Sequence, residues 1–322
     1  MATPSTVFTE MVTSTDRNWS TDVADNVSAH NALLRRMKAK GNIKTDDGGY
    51  EIAIPIEYAE NGTYQRYTGY EQLDTSASDV LTAAKFDWRQ VALHVVASGR
   101  EVRMNMGNKQ KMVDLVETRK KNALRTAANN LSIDIFSDGS LTNQVGGLAH
   151  LIQTNGAGTV GGINSSTFTF WGNQYNEMTG SDAYTSSTLK NEMNELWLTL
   201  NRGNDKPDLI VMSHDLYTVF EAGLTDRARY ADAKSASEGF SQLKYKEADV
   251  IFDDNSNFTT TAEKAYFLNT DYLYLVQHKE AQWTMDTEKR PTNQDSIVVP
   301  FYWMGNMAVS NRSLQGVLLD AA

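Results

Sequence analysis

Residues 105–139 read NMGNKQKMVDLVETRKKNALRTAANNLSIDIFSDG. This is the only long uninterrupted helical pattern in the chain. Met112, Leu115, Val116, Ala123, Leu124, Ala127, Leu131 and Ile135 recur at helical spacing, and no proline interrupts them. Asn105 or Asn108 is placed to cap the start, and Gly139 to end the helix in a left-handed turn. Such a helix runs on the order of 40 Å. A compact chain of this length has a radius of gyration of about 20 Å, so the helix is expected to cross the body and act as its spine.

Outward from the helix, the flanking sequence is β-like. Before it, 80–102 reads as strand, with Trp88, Val91, Leu93, Val95 and Val96 apolar and Gly99 as a break. Earlier still, Ile52, Ile54, Ile56 and Tyr58 alternate with Glu51, Ala53, Glu57 and Ala59, which is the period of a strand. Asn61-Gly62 is a strong hairpin-turn signal, and the aromatic run through Tyr64, Tyr67 and Tyr70 is expected to return as the second strand. A two-stranded hairpin is marginal alone and its edges invite pairing, so another copy of the chain or the chain's own core must cover it. Residues 1 to about 45 are polar, and a short helix near Leu33, Leu34 and Met37 has little apolar surface, so this segment is expected to be an arm. The positive end of that helix, with Arg35, Arg36, Lys38, Lys40 and Lys44, reads as a solvated face or as a site for an anionic partner.

After the spine, helices at Ser186 to Arg202 and Leu216 to Ala222 alternate with strands at Asp208 to Met212, Ala248 to Phe252 and Ala265 to Val276. The alternation implies an α/β lobe over about 146–278. The tail from Ser296 to Leu319, centred on IVVPFYWMGNMAV, is apolar and β-prone and must enter the core; Pro300 is expected to mark a bulge or an edge.

Composition narrows the function. The 322 residues carry a formal charge of −10 and no cysteine, which excludes disulfides, thiolate metal sites and a cysteine nucleophile. Acidity argues against a surface devoted to nucleic acid and for protein partners. Neither a signal-peptide pattern nor a membrane-span run is present, so a cytoplasm-like compartment is expected. Gly156-Ala157-Gly158-Thr159-Val160-Gly161 spells a dinucleotide fingerprint, but no helix start follows it, and a loop is the better account. Ser213-His214-Asp215 holds three triad residue types as neighbours, which cannot converge into a relay; Ser213 reads as a helix N-cap. Asp253 to Asn257 resembles the opening of a calcium loop but has Phe258 where glycine and Lys264 where glutamate belong. The five histidines show no ligand spacing, and His94 and His150 are expected in or near the core. No catalytic residue, cofactor or metal is assigned.

Charge is the remaining signal. Lys109, Lys111, Arg119, Lys120, Lys121 and Arg125 line the non-apolar side of the long helix, and Glu117 can pair with Lys120 and Lys121. Lys109 and Lys111 sit where the helix dipole disfavours cations, which points to an outside partner, either a neighbour's carboxylate or a phosphate.

The order of elements, together with the stretches 67–74, 82–90, 98–107, 138–152 and 293–318, resembles the major capsid proteins of tailed double-stranded DNA bacteriophages over nearly the whole chain. The resemblance implies an α+β fold divided into an N-terminal arm (1–45), an extended β-hairpin loop (46–80), a peripheral domain with the spine helix (81–145), an α/β axial domain (146–278) and the peripheral domain's C-terminal strands (279–322). It implies a structural, non-enzymatic subunit that self-assembles through hexamers and pentamers into an icosahedral virion shell. The implied partners are other copies of itself, portal and scaffold proteins, a decoration protein, and non-specifically packaged DNA, with assembly in the host cytoplasm. A chain that begins at the arm implies prior processing or a separate scaffold. Intersubunit contacts are expected at Asn61, Gly62, Tyr64, Arg66 and Tyr67 of the loop and at Lys109, Lys111, Arg119, Lys120 and Arg125 of the spine. The alternative reading is the shell subunit of a cellular nanocompartment.

Overall fold

The computed structural model describes residues 31–104, 109–178, 185–224, 243–253 and 263–320; the side chains of 109–117 fall outside that description. The chain opens with α1 (Ala32–Ala39), β1 (Ile43–Asp46), β2 (Ile52–Glu57), β3 (Leu81–Phe86), β4 (Arg89–Ser98) and the short α2 (Gly99–Met104). The spine α3 (Lys109–Ile135) follows, then α4 (Leu148–Leu151), the small hairpin β5 (Thr159–Val160) and β6 (Ile163–Asn164), and β7 (Gln174–Met178). The rest comprises α5 (Ser186–Leu200), β8 (Leu209–Met212), α6 (His214–Ala222), β9 (Leu243–Tyr245), β10 (Ala248–Phe252), β11 (Glu263–Leu268), β12 (Leu273–Met285), β13 (Ser296–Val309) and β14 (Gly316–Asp320).

Two sheets organise these elements. One has the order β1-β12-β13-β4, and α3 lies against β4. Ala127, Ala128, Leu131 and Ile135 of α3 are buried in the same cluster as Trp283, Trp303 and Met307, as the helical spacing requires. The second sheet has the order β7-β14-β11-β8-β10-β9. Its strands are apolar on both faces because both are covered: Ile210, Met212, Phe267 and Leu318 face α5 and α6, while Leu209, Val211, Tyr266 and Val317 face the main cluster. The second strand of this sheet, β14, comes from the C-terminal stretch, pairing with β7 and β11.

Several expectations change. The long helix begins at Lys109, and its capping candidates Asn105 and Asn108 lie outside the described residues. It ends at Ile135, and Gly139, at φ 71°, turns the chain only after the exit through Phe136 and Ser137. The helix expected over Ser186 to Arg202 ends at Leu200, and Thr185 caps its start. Pro300 sits in a central strand, not at an edge. Its carbonyl accepts from Asp286 N on the β12 side, so the missing N–H faces the place where β12 ends at Met285. The bulge belongs to β12, where the register shifts around Gln282 and Trp283 adopts φ 54°.

The described end of the arm is docked, contrary to the reading of a loosely held helix. Leu33, Leu34 and Met37 are fully buried, and Asn31 caps α1 while donating to Ser132 of the spine at 2.8 Å. The basic face of α1 finds its anions within the chain. Arg36 contacts Asp208 and Asp249 at 3.2 Å each, and Lys40 contacts Asp208 at 3.0 Å and Asp271 at 2.7 Å. Burial alone would raise the Asp208 pKa, but hydrogen bonds from Thr270 and Lys40 outweigh it and hold the carboxyl below its ordinary range.

The hairpin differs most. Its return strand is not the aromatic run but β3, in the register Ile52↔Phe86 through Glu57↔Leu81. That register is set by burial, since Ile52, Ile56, Ala84 and Phe86 all join the main cluster, and Lys85 N donates to Gly161 O at 2.9 Å. Asn61-Gly62 is therefore not the turn. The register centres on Gly69, whose φ of 65° makes the tip, and residues 58–80 form an irregular loop between the two strands.

Candidate intersubunit surface

The loop at 58–80 carries no β-ladder. Side chains tie it together: Gln65 donates to Gln72 O at 3.2 Å, Thr68 N to Glu71 at 3.2 Å, and a knot of Asn61, Thr63 and Ser78 closes it near the base. Asn61, Gly62, Tyr64, Arg66 and Tyr67 are all exposed on it. Tyr64 is 81% exposed, Tyr67 62% and Tyr70 108%. Among the described residues, all three phenol rings are thus largely in water. Glu60, Glu71, Asp74 and Asp79 accompany them against the single Arg66, which makes the loop acidic. Tyr70 and Leu73 belong to this surface as much as the residues singled out above; both lie in the run expected to return as a strand, which the structure leaves as loop.

At the loop's base lies a cleft of about 630 Å³, lined by Ile56, Tyr58, Leu81, Phe170, Arg202 and Tyr272 among others. Tyr58 stacks on Phe170 at 5.6 Å, so the root of the loop is fixed to the body while its tip is not.

The basic side of the spine is less open than its composition suggests. Arg119 donates to Val96 O at 2.6 Å and to both oxygens of Glu101 at 3.0 and 2.6 Å. This bidentate contact holds the Glu101 carboxyl at a pKa of about 2, chiefly through the Arg119 hydrogen bonds. Lys120 is only 4% exposed and so leaves the surface on which it was placed. Arg125 is exposed, and the side chains of Lys109 and Lys111 lie outside the described residues. The loop and spine residues are therefore not brought together within one chain. Arg100 is exposed close to the spine, and Arg103 pairs with Asp295 at 2.8 Å; neither stood out in the sequence because α2 is too short to show a period.

No catalytic arrangement forms at the motifs noted above. Gly161 and Gly162, at φ 59° and 75°, make the turn of the β5–β6 hairpin, with no helix after them. His214 meets Asp215 at 3.3 Å on the exposed surface, while the Ser213 hydroxyl is buried at the N-cap without a partner among the described residues. His94 is exposed on β4, against expectation, because it points away from the spine. His150 is half-buried, and burial together with the nearby Arg312 charge lowers its pKa. Among the described residues no group of three His, Cys, Asp or Glu could hold a metal, and no helix is long and apolar enough to cross a membrane. Residues 254–257 of the calcium-like stretch lie outside the described residues.

One buried group organises the junction of the two sheets. Arg312 is fully buried and donates to Leu151 O at 2.6 Å, Trp171 O at 3.3 Å, Ala157 O at 3.2 Å and Asn173 Oδ1 at 2.8 Å. Burial lowers its pKa to about 10.

Comparison of the sequence with protein-family models and with curated proteins finds no match. Comparison of the fold does. A chain of the cyanophage A-1(L) capsid asymmetric unit superposes with a TM-score of 0.59 at 14% identity, covering 86% of this chain and 89% of that one. The capsid of an empty GTA particle gives 0.55 at 10% identity over 88% and 89%. A structure from mycobacterium phage Bobi gives 0.54 at 10% identity over 91% of each chain. Identities this low speak for the backbone alone. With its spine helix on the four-stranded sheet, its second α/β sheet and its projecting loop, the chain has the fold of the major capsid proteins of tailed bacteriophages.

Proposed function

We propose that this chain is the subunit of an icosahedral virion shell that encloses packaged double-stranded DNA, a structural rather than an enzymatic role. The observation that carries this reading is the loop at 58–80, on which Tyr64, Tyr67 and Tyr70 are exposed at the end of a rooted stalk. In a capsid fold, rings that the chain does not cover serve to contact a neighbouring copy. Each ring would remove apolar area from water at about 25 cal/mol per Å², so the rings can drive association while the loop's charges prevent indiscriminate sticking. The acidic loop would meet basic surface near α2 and the spine of that neighbour, with Arg100 and Arg125 as exposed cations. Hexamers and pentamers, a portal, a scaffold, a decoration protein and assembly in the host cytoplasm belong to the same reading. The division into arm, loop, peripheral and axial domains follows it too, with β14 added to the axial sheet. A cellular nanocompartment is not favoured, since the capsid structures matched come from phages and GTA particles.

Electron microscopy of the purified full chain tests the proposal: closed, uniform shells are expected, and monomers under all assembly conditions would overturn it. Deleting residues 59–68 should leave a soluble, folded subunit that forms no closed shell. Normal shells from that deletion would remove the loop from the interface.

A further inference from the structure

The sequence contains two Asn-Gly pairs, at 61–62 and 155–156. Both asparagines are exposed, yet their surroundings differ. At the first, the Gly62 N–H donates to Ser78 Oγ at 3.2 Å, and the same Ser78 hydroxyl donates to Asn61 Oδ1 at 3.0 Å. Thr63 N at 3.0 Å and Thr63 Oγ1 at 2.8 Å also donate to Asn61 Oδ1. At the second, the Gly156 N–H is bonded to the backbone carbonyl of Gln153 at 3.1 Å, and Asn155 Oδ1 receives one protein donor, Ala157 N at 3.1 Å.

We infer that Asn61-Gly62 is a self-modifying site, at which the fold speeds the conversion of the Asn61 amide to a carboxylate. The nucleophile is the Gly62 backbone nitrogen and the electrophile is Asn61 Cγ; glycine, lacking Cβ, leaves the approach unhindered. Three donors polarise the Oδ1 carbonyl and are already placed where negative charge develops during attack. Ser78 closes a proton relay. Its Oγ takes the proton from Gly62 N as its own hydroxyl proton passes to Asn61 Oδ1, and the N–Cγ bond forms. Collapse of this neutral tetrahedral centre returns the Oδ1 proton to the departing Nδ2, breaks the Cγ–Nδ2 bond and releases ammonia. The succinimide that remains is opened by water at either carbonyl, giving aspartate or isoaspartate. Nothing is oxidised or reduced, and water is the only co-reactant. The product adds a negative charge to a loop that already carries Glu60, Glu71, Asp74 and Asp79. A backbone nitrogen bonded to a carbonyl, as at Gly156, has no such relay. The inference concerns the chemistry of the loop itself and does not depend on shell formation.

The test incubates the purified full chain at mildly alkaline pH and follows each Asn-Gly peptide by mass spectrometry, with isoaspartate detected by methyl transfer from S-adenosylmethionine. Conversion at Asn61 should exceed that at Asn155 by about a hundredfold, the low side of what a positioned proton-transfer group contributes. In urea the two rates should converge. Ser78→Ala should bring the Asn61 rate down to that of Asn155, with Ser76→Ala as an unaffected control. Gly62→Ala should slow it as well, and a Cβ there meets only Ser78 Oγ at 3.9 Å, so the loop accepts it. Equal rates at the two sites in the folded chain, or an Asn61 rate unchanged in Ser78→Ala, would overturn the inference.

Discussion

Two stretches of this chain are rich in aromatic residues and β-formers, and they have opposite fates. Strand β13 sits between β12 and β4, with Phe301 and Trp303 buried and Trp303 stacked on Trp283 at 6.3 Å. The loop at 58–80 has no ladder and leaves Tyr64, Tyr67 and Tyr70 in water. The difference lies in charge and in backbone satisfaction rather than in hydrophobicity. The segment Ile297 to Val309 contains no charged residue, so both faces of the strand can be covered and both edges paired. The loop carries a charge every few residues, each of which would have to be desolvated if it joined a sheet interior. Apolar content thus says that a segment wants a partner, while charge spacing says whether the partner can be its own core.

The largest expected effect breaks the buried side of this comparison. Trp303→Asp places an unpaired carboxylate at a site with no exposure, and the cost should exceed the roughly 5–15 kcal/mol available to a domain. No folded soluble chain should be recovered, as judged by circular dichroism and gel filtration. Arg312→Met comes next. It strands the three carbonyls that the guanidinium now satisfies, and should cost about 3 kcal/mol in urea unfolding.

A third prediction concerns α1. The Asp208 pKa is lower in the folded chain than in the unfolded one, so between the two values the unfolded chain binds more protons and stability rises with pH. The contribution of Asp208 is therefore complete above the ordinary carboxylate range and lost as pH falls through the lowered value. Thermal unfolding followed against pH should show a loss of stability below about pH 4 that is absent in Asp208→Asn. Arg119→Ala should cost less, about 0.5 kcal/mol, because the Glu101 pair is partly exposed and screened by solvent. The smallest effect on stability falls on the exposed side of the comparison. Changing Tyr64, Tyr67 and Tyr70 together to Ser should leave the unfolding midpoint unmoved while impairing assembly seen by light scattering. A drop in stability would show that the loop packs on its own body after all.

Much of the fold was legible because burial imposes a period. The apolar spacing in the second half of α3 and in α5 and α6, the uniformly apolar β8 and the tail matched what the core required of them, while the side chains of Met112, Leu115 and Val116 lie outside the described residues. The turn of the hairpin was not legible, since Asn61-Gly62 is a strong local signal. It lost to a non-local one, the burial of Ile52 and Ile56 against Ala84 and Phe86, which fixes the register at β3. The candidate surface was half legible. Contacts were expected at Tyr64 and Tyr67, which the structure leaves exposed, whereas the withdrawal of Lys120 and the capture of Arg119 by Glu101 depend on which way the spine faces.

The amino-acid sequence by itself determined the elements of this protein: a long amphipathic spine, alternating helices and strands in the middle, an uncharged C-terminal strand, and an acidic aromatic segment unsuited to a core. Those properties follow from periodicity and charge, which are local. Tertiary structure alone decided that β14 completes the second sheet, that α1 is clamped by Asp208, Asp249 and Asp271, and that the loop turns at Gly69. Each of these joins residues far apart in the chain, and only their mutual burial and pairing, not any short motif, selects the partner.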